Sequence, residues 1–300
     1  MGLLACARGG HHAALGWSLG GEAHVFVADD RFARAVYREL NGHGDLMDAL
    51  ERHSLVAVDA RNGRSATVLS ANGAAPARLT LARFHAPQTC GYAGVVTELV
   101  FAFPPGGAGG RSRPPSHASV VALLDRPAFA GGAGARRSAL STRDAMALIR
   151  RVADRAELST RGPSLGLLHP PTLDADQATD AGEIVALRSL YAVGFRATFS
   201  ATVTEHSIDT TLITGIATID LDLRDLHWVV RPRRLRLRGG MITGQGVRYS
   251  LRGAVAGPGG GRLLLLDEIA DVSTRDSRAT VVDPTTRRVV AAQPLALRCP

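Results

Sequence analysis

From about residue 183 to the end of the chain, apolar and polar positions follow a strand-like pattern in run after run. EIVALRSL, VGFRATFSATVTE, TTLITGIATIDLDL, LHWVVRPRRLRLR, GVRYSLRGAV, GRLLLLDEI, RATVVD and RRVVAAQPLALR are β-branched-rich or alternate with period two. The connectors between them are rich in Gly, Pro and Asp, and most are too short to hold a crossover helix. That combination predicts antiparallel pairing in place of βαβ units. VVDPTTRRVV (281–290) reads as a hairpin, with Pro284 presetting the turn backbone.

The first half is more varied. EAHVFVA (22–28) reads as a strand. DDRFARAVYREL (29–40) places Phe32, Val36, Tyr37 and Leu40 on one helical face, capped by Asp29 or Asp30 and stopped by NGHG (41–44). DLMDALERH (45–53) resumes a helical period. SLVAVDARNGRSATVLS (54–70) reads as two strands around Asp59, Asn62 and Gly63, with further strands at 77–86 and 94–103. PPGGAGGRSRPPSHA (104–118) cannot bury enough apolar surface to offset its ordering entropy, and SVVALLD (119–125) reads as one more strand. STRDAMALIRRVADRAEL (141–158) is a helix, opened by Ser141 three residues before Asp144 and striped by Ala145, Leu148, Ile149, Val152 and Ala156.

The pattern predicts an α+β, β-dominated fold. A Gly/His-rich flexible segment (1–21) precedes a mixed α/β portion (22–103) and a Gly/Pro-rich loop or linker (104–140). A helix and an antiparallel sheet, forming a sandwich or a partly open barrel, occupy 141–300.

Composition narrows the functional classes. With 45% hydrophobic and 21% charged residues in 300, the chain is of globular type. Its net charge is +8, and all 35 basic residues are arginine, as in proteins from GC-rich bacterial genomes. Aromatic residues make up 5% and are not interleaved with the arginines, which weighs against single-stranded nucleic acid as a partner. No run approaches the roughly 18 apolar residues of a membrane span.

Leu3-Leu4-Ala5-Cys6 resembles the lipobox of bacterial lipoproteins, which makes Cys6 a lipidation candidate. Only five residues precede it, so a lipid anchor requires a start upstream. Cys90 and Cys299 are a disulfide candidate in an oxidising compartment; the alternative is unrelated thiols.

Gly16-Trp17-Ser18-Leu19-Gly20 matches G-x-S-x-G and makes Ser18 a candidate nucleophile. The stretch Gly16–Gly21 resembles the nucleophile elbow of α/β-hydrolases over those six residues, and the resemblance implies a strand before the serine and a helix after it. Only fifteen residues precede Gly16, and EAHVFVA, a strand pattern, follows Gly21. The alternative is therefore a glycine-rich segment with no catalytic part.

DADQATDAGE presents Asp174, Asp176, Asp180 and Glu183 as weak candidates for Ca²⁺, but it lacks the glycine and glutamate positions of an EF-hand loop and also reads as a solvated cap. The carboxylates Asp267, Glu268, Asp271 and Asp276 read as structural. Arg234, Arg236 and Arg238 alternate along one strand face and are candidates for gripping phosphate, sulfate or carboxylate; the alternative is an edge strand blunted by charge. No histidine pair has zinc-enzyme spacing, and no glycine-rich stretch forms a nucleotide motif, so no cofactor is implied. The expected function is a non-enzymatic binding or structural protein of the periplasm or cell envelope, with a cytoplasmic location as the alternative. A serine hydrolase using Ser18 and an anion binder using the arginine row are the alternative functions.

Overall fold

The computed structural model describes residues 13–28, 65–85, 96–104, 118–124, 140–160, 165–168, 172–173, 181–187, 190–204, 207–220, 222, 224–238, 241–242, 247–257, 261–270 and 277–294. The expected helices at 29–40 and 45–53 lie outside these residues, as do Cys6, Cys90, Cys299, Asp174, Asp176 and Asp180.

Six strands close into a barrel: β1 (Ala13–Leu19), β2 (Glu22–Ala28), β3 (Ser65–Ser70), β4 (Gly73–His85), β5 (Val96–Ala102) and β6 (Ser119–Leu123). Their order around the wall is β1-β2-β5-β4-β3-β6, and every neighbouring pair runs antiparallel. One expectation is corrected here. Residues 13–19 are not a flexible lead-in but the barrel strand β1, paired on both sides. SVVAL, read as a strand among Gly/Pro-rich stretches, is β6, as expected; it pairs with β1 and β3 and so closes the barrel. Closure is what recruits β1: a sheet closed on itself leaves no edge with unpaired backbone groups. The interior is filled by small and medium side chains, among them Ala14, Ala23, Val25, Val68, Ala82, Leu99 and Ala122. So few strands enclose too little space for anything larger than packed side chains.

A helix, α1 (Thr142–Ser159), follows. Its N-cap Ser141 accepts the Asp144 amide at 3.1 Å, and Ala145, Leu148, Ile149, Val152, Ala153 and Ala156 form its buried stripe. The stripe packs on one face of a seven-stranded sheet through Val193, Phe195, Ala197, Phe199, Ile213, Ala217 and Ile219. That sheet comprises β7 (Gly166–Leu167), β8 (Thr172–Leu173), β9 (Ala181–Ala186), β10 (Leu190–Thr204), β11 (Ser207–Asp220), β12 (Leu226–Arg238) and β13 (Met241–Ile242). The pairing is antiparallel except for the short contact of β8 with β9.

The remaining strands, β14 (Val247–Ala256), β15 (Arg262–Ala270), β16 (Arg278–Val282) and β17 (Val289–Pro294), form an antiparallel four-stranded sheet in sequence order. Both of its faces are covered. Leu264, Leu266 and Val282 pack with Tyr249, Leu251 and Ala254 against Ala192 and Ile216 of the seven-stranded sheet. Leu263, Leu265, Ala279 and Val281 pack against Leu15, Leu69, Val121 and Leu123 on the outer wall of the barrel. The layers therefore run helix, seven-stranded sheet, four-stranded sheet, barrel. A strand between two apolar neighbours has no wet side, which is why β15 reads Leu-Leu-Leu-Leu with no alternation.

Backbone contacts fix the stacking. A Cβ on Gly194 would lie 2.6 Å from the Leu251 Cβ, so glycine lets β10 approach β14. At the other interface the buried Gln293 of β17 serves the main chain of β1: its Oε1 accepts the Leu15 amide at 2.9 Å, and its Nε2 donates to the Leu15 carbonyl at 3.3 Å. Arg262 at the start of β15 donates to the Ala71 carbonyl in the β3–β4 turn at 3.1 Å.

Burial on both faces has a measurable signature. Leu264→Ala and Leu265→Ala should each destabilise by about 2–5 kcal/mol, because each empties a filled site on a different interface. Urea unfolding of the two variants checks this; a tolerated change at either position would mean that one face of the sheet is open to water.

Candidate functional site

The hairpin β1–β2 is built from the motif that first drew attention to Ser18. Leu19 pairs with Glu22 across the two-residue turn Gly20–Gly21, whose φ values are +58° and +91°. Such a turn needs positive φ at both positions, so two glycines are its natural residues. Gly16 has a different reason. A Cβ there would fall 1.7 Å from the His24 carbonyl oxygen, so β1 and β2 can approach so closely only without a side chain.

Ser18 lies within β1, 1% exposed. Its amide donates to the Ala118 carbonyl at 3.0 Å, and its hydroxyl accepts the Ala118 amide at 3.2 Å. A strand, not a helix, follows the turn. The strand–serine–helix arrangement that the elbow resemblance implies is not the local structure of Ser18.

The outer wall beside this hairpin holds a cluster that sequence reading passed over. Glu98 on β5 lies directly across from Phe26 of β2 on one side and Arg83 of β4 on the other. Its carboxylate reaches past both to the diagonal neighbours: Oε1 is 2.6 Å from His24 Nδ1 and Oε2 is 2.8 Å from His85 Nε2. Diagonal positions in an antiparallel sheet are within reach of long side chains. Trp17, directly across from His24, stacks on Phe26 with ring centroids 4.6 Å apart, and Phe26 in turn lies 6.1 Å from the His85 ring. The carboxylate is 7% exposed, His24 13% and His85 33%, so the cluster opens outward from a buried acid to a half-exposed imidazole.

Burial pushes the Glu98 carboxyl up, but the hydrogen bonds from His85 and His24 and the charge on those rings outweigh it and hold the group at about 2. An ionised carboxylate only accepts, so His24 Nδ1 and His85 Nε2 both donate. In the neutral rings His24 Nε2 and His85 Nδ1 then carry the lone pairs, and His24 Nε2 lies 4.0 Å from Glu22 Oε2. The arrangement fixes two imidazoles with one acceptor nitrogen each, beside an aromatic pair. Such groups can receive hydrogen bonds from a ligand. Among the described residues no group of three or more His, Cys, Asp or Glu is placed to hold a metal ion.

The other candidate residues are dispersed. Arg234, half-buried, donates from Nε to Thr160 Oγ1 at the C-cap of α1 at 3.3 Å. Arg236 is exposed, and the Arg238 side chain lies outside the description. Glu183 stands half-buried in β9. Asp267 is 1% exposed and pairs with Arg252, which the bulge between Leu251 and Gly253 places in the neighbouring strand.

The signal for the barrel-wall cluster was Glu98 itself, a lone acid in the apolar strand VTELVFA. A charge in such a strand needs a partner. His24 is 74 residues away in sequence, so only the pairing of β2 with β5 names it. Comparison of the chain with protein-family models, curated proteins and solved structures returns no match.

Two outcomes follow from this geometry. Gly16→Ala should cost about 3 kcal/mol or more, since backbone must move to admit the methyl group, while Gly20→Ala, with open space around it, should cost about 1–2 kcal/mol from its left-handed backbone alone. Thermal and urea unfolding of the two variants gives the comparison. For Glu98, the folded value of about 2 lies below the ordinary 4.5, so its stabilisation is complete above about 4.5 and is lost as pH falls through about 2. The stability difference between wild type and Glu98→Gln should therefore shrink across that window, by up to about 1.4 kcal/mol per pH unit. Urea midpoints recorded from pH 2 to 7 test it; a constant difference would show that the carboxylate charge does not matter.

Proposed function

We propose that the protein is a non-enzymatic binding or structural module of the extracytoplasmic or envelope space of a GC-rich bacterium, with the barrel wall around Glu98 as its working surface. The observation that carries this reading is the use made of Ser18. The hydroxyl that a hydrolase would need exposed at a sharp turn is buried in β1 and tied to the Ala118 amide. The motif's glycines likewise serve the hairpin.

The wall supports the binding half of the proposal. Binding sites combine apolar and aromatic surface with a few oriented polar groups. Trp17 and Phe26 supply the first, and the Glu98-oriented imidazoles of His24 and His85 supply the second. A barrel interior filled by its own side chains directs ligands to the outside. Support for the compartment comes from the sequence: the lipobox-like stretch ending at Cys6 and the pair Cys90 and Cys299.

Fractionation of native cells followed by mass spectrometry is the test. The protein should be found in the envelope fraction with Cys90 and Cys299 joined; a cytosolic protein with an unprocessed N-terminus and free thiols would overturn the assignment. A fluorophosphonate probe should leave Ser18 unmodified. Labelling of the wild type that disappears in Ser18→Ala would replace the binding reading with a hydrolase.

A further inference from the structure

The turn between β3 and β4 places a labile dipeptide beside a half-buried cation. Each of the three asparagines of the chain, Asn41, Asn62 and Asn72, precedes a glycine; the first two lie outside the described residues. Asn72 is exposed, in the two-residue turn that the pair Ser70↔Gly73 closes. The Ser70 hydroxyl accepts the Asn72 amide at 3.2 Å and donates to the Gly73 carbonyl at 3.2 Å, which braces the turn. Gly73 has a φ of +146°, a conformation that residues with a side chain rarely adopt. The turn therefore needs glycine after Asn72, and that glycine presents a main-chain nitrogen with no Cβ beside it.

Asparagine is a heat-labile residue, and its side-chain amide lies within reach of the next main-chain nitrogen. The Gly73 nitrogen, on losing its proton, attacks Asn72 Cγ. The new C–N bond closes a succinimide ring, and the side-chain nitrogen leaves as ammonia, taking up the proton that the Gly73 nitrogen gave. Water then adds to one ring carbonyl and breaks its bond to the Gly73 nitrogen, which regains a proton. Opening at Cγ leaves aspartate; opening at the main-chain carbonyl leaves isoaspartate. Water is the co-reactant, ammonia is the by-product, and nothing is oxidised or reduced. Ser70↔Gly73 is the last pair of the β3–β4 ladder, so opening the turn frees the nitrogen without opening the barrel.

The cation is Arg262, at the start of β15, which donates from Nη2 to the Ala71 carbonyl at 3.1 Å. That oxygen and the Asn72 Cα belong to one planar peptide unit. A carboxylate on residue 72 thus begins within a side chain's length of the guanidinium. Burial pushes the Arg262 guanidinium below its ordinary value, and a charge held partly out of water gains more from a facing anion than a solvated one does.

We propose that Asn72 is a deamidation site and that the carboxylate formed there pairs with Arg262. The reaction replaces a neutral turn residue by an anion where the barrel meets the four-stranded sheet, next to the Leu263 and Leu265 contacts with the barrel wall. The pair adds a charged tie to that contact as the molecule ages. The site is separate from the wall around Glu98 and does not depend on what binds there.

Peptide mapping by mass spectrometry tests the reaction. The full chain, incubated folded in mildly alkaline buffer, should gain the mass of deamidation at Asn72, and faster than in mildly acidic buffer, because the attacking nitrogen must lose a proton. The chain unfolded in urea supplies the reference rate. An Asn72 that stays intact in the folded chain while it converts in urea would overturn the site. Urea unfolding of freshly prepared Asn72→Asp, Arg262→Gln and the double variant tests the pairing. Asn72→Asp should raise the midpoint when Arg262 is present and fail to raise it in Arg262→Gln. An equal shift in both backgrounds, or no rise with Arg262 present, would overturn the pairing. Should Arg262→Gln not fold, salt gives the comparison: the gain from Asn72→Asp should shrink as salt screens the pair, and a gain that salt leaves unchanged would overturn it.

Discussion

The structure depends on the four-stranded sheet being dry on both faces. Leu263 and Leu265 meet the barrel while Leu264 and Leu266 meet the seven-stranded sheet, so consecutive residues of one strand hold two different layers. Separation of either neighbour would expose a row of large apolar side chains to water, at roughly 25 cal/mol per Å² uncovered. Antiparallel sheets commonly leave one face wet; this one has no face to spare. Two of the polar groups that enter its interfaces are matched. Gln293 satisfies both main-chain groups of Leu15, and the buried Asp267 meets Arg252. A buried polar group without such a partner would cost more than the bond returns when made.

The same economy explains the candidate chemistry. Gly16, Ser18 and Gly20 look like a catalytic signature, but each answers a mechanical demand of the first hairpin. Gly16 permits a close strand approach, Ser18 holds the start of β6 through Ala118, and Gly20 takes a left-handed turn position. The hairpin in turn sets His24 on the outer wall. A buried carboxylate there is kept ionised because two imidazoles bond to it, and the two rings are oriented because the carboxylate is fixed. Neither half of the cluster would hold its geometry without the other.

Local rules accounted for much of the architecture. The cap at Ser141 and the stripe from Ala145 to Ala156 specify α1, with Ala153 added by packing. Period-two runs specify β10, β11, β12 and β14, and Asp283 organises the β16–β17 turn by accepting the amide of Thr285 and the hydroxyl of Thr286. Those signals act over a few residues, so the chain displays them directly. The expectation of an antiparallel, β-dominated fold is met for the same reason. The barrel was not legible, since its closure joins β1 to β6 across more than a hundred residues, and nothing near Ala13 announces that partner. A glycine-rich strand such as β1 looks like loop until pairing gives it a place.

The sequence by itself determined the kinds of element, the antiparallel preference and the surplus of arginine in β12, because propensity, periodicity and charge are properties of neighbouring residues. Tertiary structure alone decided which face each element buries, that Ser18 binds backbone, and that Glu98 is shared by His24 and His85. It also redirected Arg234 to the helix end and left Arg231 and Arg233 exposed on β12. These are relations between distant segments, and they exist only where strand register and layer packing bring the segments within bonding distance.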